Sequence, residues 1–224
     1  KKFLIKNNLI NENWNGLNIL VQNASTVGLL DLKILQDKKE KSSSFFDDLK
    51  NRKFKLLYLL GSDNLEFQKN DEFIVYQGSH GDRGAEIADL ILPSATYTEQ
   101  NGLYENLEGR IQECKKASYP IGEALEDWKI FNQIIKKLGS KDYKVNFDEL
   151  RKEVLETAPN FSGINELPKK SVIKTNNIET SFFSEKIFVR ELDYYYTNSI
   201  SRSSKTMSEC RQIRQKIKKD GTNN

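Results

Sequence analysis

Phe54-Lys55-Leu56-Leu57-Tyr58-Leu59-Leu60, then Phe73-Ile74-Val75-Tyr76, then Ala88-Asp89-Leu90-Ile91-Leu92-Pro93 are the three runs that decide the fold. Each is short and rich in Leu, Ile, Val, Phe or Tyr, and the first two stop at Gly61 and at Gln77-Gly78. That is the pattern of buried strands, not of helices. Between the second and third runs lies Gly78-Ser79-His80-Gly81-Asp82-Arg83-Gly84-Ala85-Glu86-Ile87, a Gly-punctuated loop entering a short helix. Strand, Gly loop, helix, strand is the grammar of a layered α/β domain. Residues 54–93 are therefore expected to form adjacent parallel strands of one buried sheet, with the loop at Gly78–Ala85 on its carboxyl edge.

Outward from this centre the signals are uneven. Residues 1–13 carry Asn-rich punctuation and support no element. Trp14 to Leu35 reads as a helix, because Leu17, Leu20, Val21, Ala24, Val27, Gly28 and Leu32 fall at three- and four-residue steps. Gln36 to Ser44 reads as a charged loop, and Phe45 to Leu49 as a short amphipathic turn. Thr96 to Asn106 reads as irregular and Gly109 to Lys116 as an extended segment. Asp127 to Leu138 is an amphipathic helix with Gly139 as its stop, and Phe147 to Leu155 a second one ended before Pro159. No period is sustained from there to residue 192, so residues 160–205 are expected to lie extended. Ser203 to Lys219 reads as a charged helix, with a frayed end beyond it. The expected division is an α/β body over 1–158 and a C-terminal arm with its helix over 159–224.

The 224 residues hold 35 basic and 32 acidic side chains, a net charge of +3. Such balance gives no strong attraction to nucleic acid or to an anionic membrane. The apolar runs are far shorter than the roughly 20 residues that a spanning helix needs. Lys6, Asn7 and Asn8 interrupt the opening Phe3-Leu4-Ile5, so no secretory signal is expected. The chain opens on Lys1, which points to a trimmed start or a removed segment. Two cysteines, Cys114 and Cys210, and one histidine, His80, are too few for a disulfide framework, a zinc site or an iron–sulfur site. Any metal chemistry nearby is expected to belong to another chain.

Gly78, Gly81 and Gly84 suggest a phosphate cradle at a strand end. The spacing is not G-x-G-x-x-G and no Gly-Lys-Ser/Thr follows, so a tight turn is the preferred reading. His80, beside Asp82 and Arg83, has the chemistry of a general acid or base. Lacking a Cys or Ser partner nearby, it reads better as a loop histidine bonded to backbone. Cys114 between Glu113 and Lys115 reads as a free strand cysteine, not a nucleophile. The basic tail Arg211, Arg214, Lys216, Lys218 and Lys219 lacks interleaved aromatics and reads as a solvated face or an acidic partner's counterpart. Phe182-Phe183 and Tyr194-Tyr195-Tyr196 are different, since aromatics on an arm with little core of its own suit docking onto a partner.

Five stretches carry a resemblance. They are Phe73-Ile74-Val75-Tyr76-Gln77-Gly78-Ser79-His80-Gly81-Asp82, Ala88-Asp89-Leu90-Ile91-Leu92-Pro93, Tyr97-Thr98-Glu99 with Glu108-Gly109-Arg110, Glu126-Asp127-Trp128-Lys129, and the tail Asp193 to Ser204 with Ser199-Ile200-Ser201-Arg202. In this order they resemble the large iron–sulfur subunit family of the NADH-oxidising arm of respiratory complex I. The Ala-Asp-Leu-Ile-Leu-Pro and Glu-Gly-Arg pieces are shared with molybdopterin oxidoreductases.

The resemblance implies a Rossmann-like parallel sheet with flanking helices, a degenerate molybdopterin-oxidoreductase-type domain, plus the arm. It also implies a mitochondrial location on the matrix side of the inner membrane and a part in NADH:ubiquinone oxidoreductase. Iron–sulfur clusters in that family sit in Cys-rich N-terminal modules absent from these 224 residues, so the chain looks like a separately made second half. No catalytic, cofactor-binding or metal residue carries over, and no cofactor is expected in this chain. The expected partners are other peripheral-arm subunits, above all the Cys-rich half of the same parental subunit, with no nucleic acid and no membrane span. Phe182, Phe183, Tyr194, Tyr195, Tyr196 and Arg202 are the candidate docking residues. A cofactor-binding fragment of a true molybdopterin oxidoreductase and a free-standing nucleotide-binding module are the competing readings.

Overall fold

The structure, a computed structural model, describes residues 2–11, 13–21, 23–34, 45–63, 68–167 and 193–221. Its elements are α1 (Lys2–Lys6), α2 (Thr26–Asp31), α3 (Phe45–Lys50), β1 (Leu56–Leu60), β2 (Phe73–Gly78), α4 (Arg83–Glu86), β3 (Leu90–Pro93), β4 (Gly102–Glu105), β5 (Ile111–Cys114), α5 (Asp127–Lys137), α6 (Phe147–Thr157), α7 (Ser199–Ser203) and α8 (Lys205–Gly221). Two compact units are woven from separated segments. One takes Lys1–Glu40, Asn101–Ala117 and Ile135–Ser184, the other Lys41–Gln100, Ser118–Ile134 and Glu185–Asn224.

The second unit holds the expected parallel sheet, in the order β1-β2-β3. Side chains alternate by strand period. Leu57, Leu59, Ile74 and Tyr76 pack with Leu49 of α3 and with Phe54, Ala85, Ile87 and Ala88. On the opposite face Tyr58 stacks on Phe131 of α5, ring centroids 5.6 Å apart. Burial is complete only at the centre. Ile74 and Gln77 of β2 are fully buried, whereas Leu90 and Ile91 of β3 are 44% and 50% exposed. The expectation of one parallel sheet holds for all three strands; burial holds along most of β2 and at Leu57 and Leu59 of β1, and fails at Leu56 and Leu60, 56% and 51% exposed, and at β3.

In the first unit β4 and β5 form an antiparallel hairpin. The extended segment expected from Gly109 is β5. Its partner β4 falls in the stretch expected to be irregular. The turn explains the pairing: Asn106 Oδ1 accepts from the N–H groups of Glu108 and Arg110, and Gly109 sits at φ +81°. Ile111 buries with Ala158 and Phe161, against Leu32, Leu103, Val154 and Leu155. The expected division at 158/159 runs through this cluster. Helix α6 begins where Asn146 Oδ1 accepts from Glu149 N–H at 2.9 Å, while Glu149 accepts from Val145 N–H.

Two expectations need correction. Trp14–Leu35 is not one helix; among the described residues there, only Thr26–Asp31 is helical. Asn11 Oδ1 accepts from the N–H groups of Asn13 and Trp14, and Asn15 Oδ1 from Leu17 N–H. These local bonds offer the backbone an alternative to the helix, and the apolar spacing does not overcome them. The arm is also not extended throughout. Pro159–Ser162 is a 3-10 turn and Ser199–Ser203 is helical, with Asn198 and Ser201 forming a reciprocal cap. Residues 168–192, including Phe182 and Phe183, lie outside the described residues.

Candidate functional site

The carboxyl ends of parallel strands are where open α/β sheets bind ligands. Here β1, β2 and β3 end on a cleft of about 360 Å³, lined among others by Gly61, Ser79, Thr96, Gln100, Asp127 and Ser199. Its floor is a saturated polar network. Gln77 is fully buried; its amide donates to Asp127 Oδ1 at 2.6 Å and its oxygen accepts from the Tyr58 hydroxyl. Gln100 donates to Asp127 Oδ2 at 2.8 Å and accepts from Asp127 N–H at 3.1 Å. Burial, then the Asp127 charge, raises the Tyr58 pKa, so the phenol stays a donor. Next to it Glu126 accepts from Trp128 Nε1 and Lys129 Nζ. The Glu-Asp-Trp-Lys piece is therefore structural: it starts α5 and ties it to the sheet. Buried Gln77 was the one sequence signal for this network, a polar residue ending an apolar strand.

The glycine loop folds tightly over β2. A Cβ at Gly84 would lie 2.8 Å from Ser62 O and 3.0 Å from the Tyr76 ring, so only glycine lets the loop close against the end of β1. Two of its amides are already used: Arg83 N–H donates to Asp82 Oδ1 and Gly84 N–H to Asp63 O. Tyr76 donates its hydroxyl to His80 O at 2.7 Å, and the His80 ring meets Ser79 Oγ. His80 lies in a loop, but its ring hydrogen-bonds the neighbouring Ser79 hydroxyl at 2.9 Å and not the expected backbone.

The C-terminal segment returns to this loop. Arg202 Nη2 lies 2.5 Å from Asp63 Oδ1, and Arg202 Nε lies 2.5 Å from Asp82 Oδ2. The guanidinium side chain is 15% exposed and that of Asp63 6%. Burial opposes the charge on Arg202, but the hydrogen bonds to Asp63 and Asp82 outweigh it and raise its pKa. Burial, then Asp63 and Asp82, push the Tyr76 phenol up to about 12. Among the expected docking residues, Arg202 is thus engaged by its own chain. Tyr195 and Tyr196 lie 6.0 and 4.6 Å from the guanidinium carbons of Arg214 and Arg211 of α8. Tyr194 is 76% exposed.

In the first unit Glu105 is 6% exposed. It shares a hydrogen bond with Asp31, and its Oε2 is buried without a partner among the described residues. Burial, then the Asp31 charge and bond, raise its pKa to about 7. Cys114 on β5 and Cys210 on α8 form no disulfide among the described residues, and Cys114 Sγ meets Lys115 O at 3.9 Å. Among the described residues no three His, Cys, Asp or Glu side chains gather as metal ligands. No helix among them is long and apolar enough to cross a membrane.

At the glycine loop two backbone amides are spent within the protein, and Asp63 and Asp82 are both ion-paired with Arg202.

Residues 1–137 match the family described as Molybdopterin oxidoreductase, and residues 158–210 match the C-terminal domain of the G subunit of NADH-ubiquinone oxidoreductase. The chain is 39% identical over 206 residues to the NADH-ubiquinone oxidoreductase 75 kDa subunit of Reclinomonas americana, an alignment covering 90% of this chain and 29% of that protein. It is 38% identical to the G subunit of NADH-quinone oxidoreductase from Rickettsia bellii, over 98% of this chain and 31% of the relative. The mitochondrial NADH-ubiquinone oxidoreductase 78 kDa subunit of Neurospora crassa is 37% identical over 93% of this chain and 28% of its own length. The chain therefore spans less than a third of these relatives.

Proposed function

The chain belongs to the molybdopterin oxidoreductase family and carries the C-terminal domain of the complex I G subunit over 158–210, and from that premise we propose that it is a structural second half of the iron–sulfur subunit of complex I. In this reading it supports NADH-to-ubiquinone electron transfer on the matrix side of the mitochondrial inner membrane and carries no redox centre. Its partners are other peripheral-arm subunits, especially the Cys-rich half of the parental subunit. The observation that carries the reading is the ordered pair of family matches, 1–137 and then 158–210, on one chain. Ligand poverty supports it, because Cys114, Cys210 and His80 cannot build a cluster site. The carboxylates at the glycine loop weigh against the rival reading of a pterin-binding fragment.

Residues 159–224 are the portion through which the assembly holds this half, with Phe182, Phe183 and the exposed Tyr194 as anchors beside Tyr195 and Tyr196. Affinity purification of the tagged chain from mitochondria, followed by identification of the co-purifying proteins, tests the assignment. Recovery of the cluster-bearing subunit with NADH dehydrogenase activity is expected; recovery without any complex I subunit would sink it. Cys114→Ser and Cys210→Ser assemblies should keep every cluster signal in electron paramagnetic resonance.

A further inference from the structure

The Arg202 contact is unlike an ordinary surface ion pair. Both carboxylates come from the carboxyl edge of the sheet: Asp63 follows β1, and Asp82 caps α4 in the loop after β2. The cation comes from 120 residues beyond Asp82. Nε and Nη2 engage different carboxylates, a planar fork with donors on separate nitrogens that a single ammonium nitrogen does not reproduce. Asp63 is 4% exposed, and its Oδ2 is buried with no hydrogen-bond partner among the described residues. Arg202 is therefore the cation that compensates a buried charge. The same segment sets Asn198, Ser199 and Ile200 along the wall of the cleft.

We propose that Asp63 and Asp82 form a guanidinium-binding site at the carboxyl edge of the parallel sheet, and that Arg202 of the chain's own C-terminal segment is its resident ligand. Residues 198–203 then act as a tethered self-ligand that holds the glycine loop and closes one side of the cleft. The site selects a planar cation and repels phosphate. A sheet edge of the kind that in other α/β proteins takes a small molecule is served here by a stretch of polypeptide. The tether gives Gly84 its role: a residue without a Cβ is needed to bring the loop against Ser62 and Asp63, where the clamp forms.

The test uses the 224-residue chain carrying Arg202→Ala. Its melting temperature should fall by on the order of 5–10 °C. Amide exchange should accelerate at 79–85 and 198–203 and stay unchanged in the 102–114 hairpin. Millimolar ethylguanidinium should restore protection at 79–85, and ethylammonium at equal concentration should not. Equal rescue by both, or rescue by neither, would overturn the site, as would wild-type exchange in the variant. If Arg202→Ala does not fold, Asp82→Asn serves instead. Asn still caps α4, so only the Asp82 half of the ionic hold on Arg202 is lost while Asp63 keeps its half, and exchange at 198–203 should rise several-fold. Unchanged exchange there would refute the clamp.

Discussion

Asp63 with Asp82 and Asp31 with Glu105 are two acid pairs that meet the same problem in different ways. Each includes a carboxylate almost sealed from water, Asp63 at 4% and Glu105 at 6% exposure. Each leaves one of its oxygens without a partner among the described residues. The first pair is held by one fixed cation, Arg202, shared between two carboxylates. The second keeps a hydrogen bond between two acids, which requires a shared proton. A guanidinium does not lose its charge near neutrality, so the first solution is permanent. A proton is exchangeable, so the second depends on pH. Buried charge does not dictate its own remedy; the remedy depends on what the rest of the chain brings within reach.

The largest expected effect breaks the first solution. Arg202→Met keeps much of the side-chain volume and removes the cation, leaving Asp63 buried and uncompensated. Urea unfolding should show a loss of about 3–5 kcal/mol. A loss below about 1 kcal/mol would put the Arg202 pair in the class of surface ion pairs. The next effect reads the second solution. The folded pKa of Glu105 lies above its ordinary value of 4.5, at about 7. Its contribution is therefore complete below pH 4.5 and is lost as pH rises towards and through about 7. Glu105→Gln, which keeps a donor for Asp31 without a proton to lose, should flatten that part of the stability–pH curve. The difference between the two proteins should amount to on the order of 2 kcal/mol across the window. An unchanged slope would mean that the pair is not shared. The smallest effect sets the exposed limit. Asp89 meets Lys69 at 2.5 Å, with both side chains 32% exposed. The Lys69 bond, then Ile74 N–H, lower its pKa, so whatever stability it adds is lost only as pH falls through that lowered value. Asp89→Asn should shift the urea midpoint less than either variant above, and added salt should shrink the difference.

How much of this was legible in the sequence depended on range. The strands β1 and β2 were legible because Gly61 and Gly78 cut the apolar runs to strand length. Helices α5 and α6 were legible because Gly139 and the Asn146–Glu149 cap mark their ends locally. The stretch from Trp14 had the same apolar spacing as α5 and misled, since Asn11 and Asn15 win the competition for backbone N–H groups. Strand β4 was obscured because its turn signal, Asn106 to Gly109, lies inside the segment judged irregular. The clamp was illegible: nothing local to Ser201-Arg202-Ser203 points to Asp63 or Asp82. Arg202 stands out only through the resemblance, which points to docking on a partner and not to Asp63 and Asp82. Gln77 offered a clue, but Asp127 and Gln100, which complete its network, lie 50 and 23 residues further on in the chain.

The distance from Asp82 to Arg202 also sets an order of events at the ribosome. The strands of the sheet are made first, and the arginine that holds their carboxyl edge emerges 120 residues after Asp82. At roughly 5–20 residues per second, the newborn sheet would wait about 6–24 seconds with its acidic edge unanswered. During that interval a passing cation, a chaperone or a misplaced arginine from elsewhere in the nascent chain would compete for the seat that Arg202 later fills.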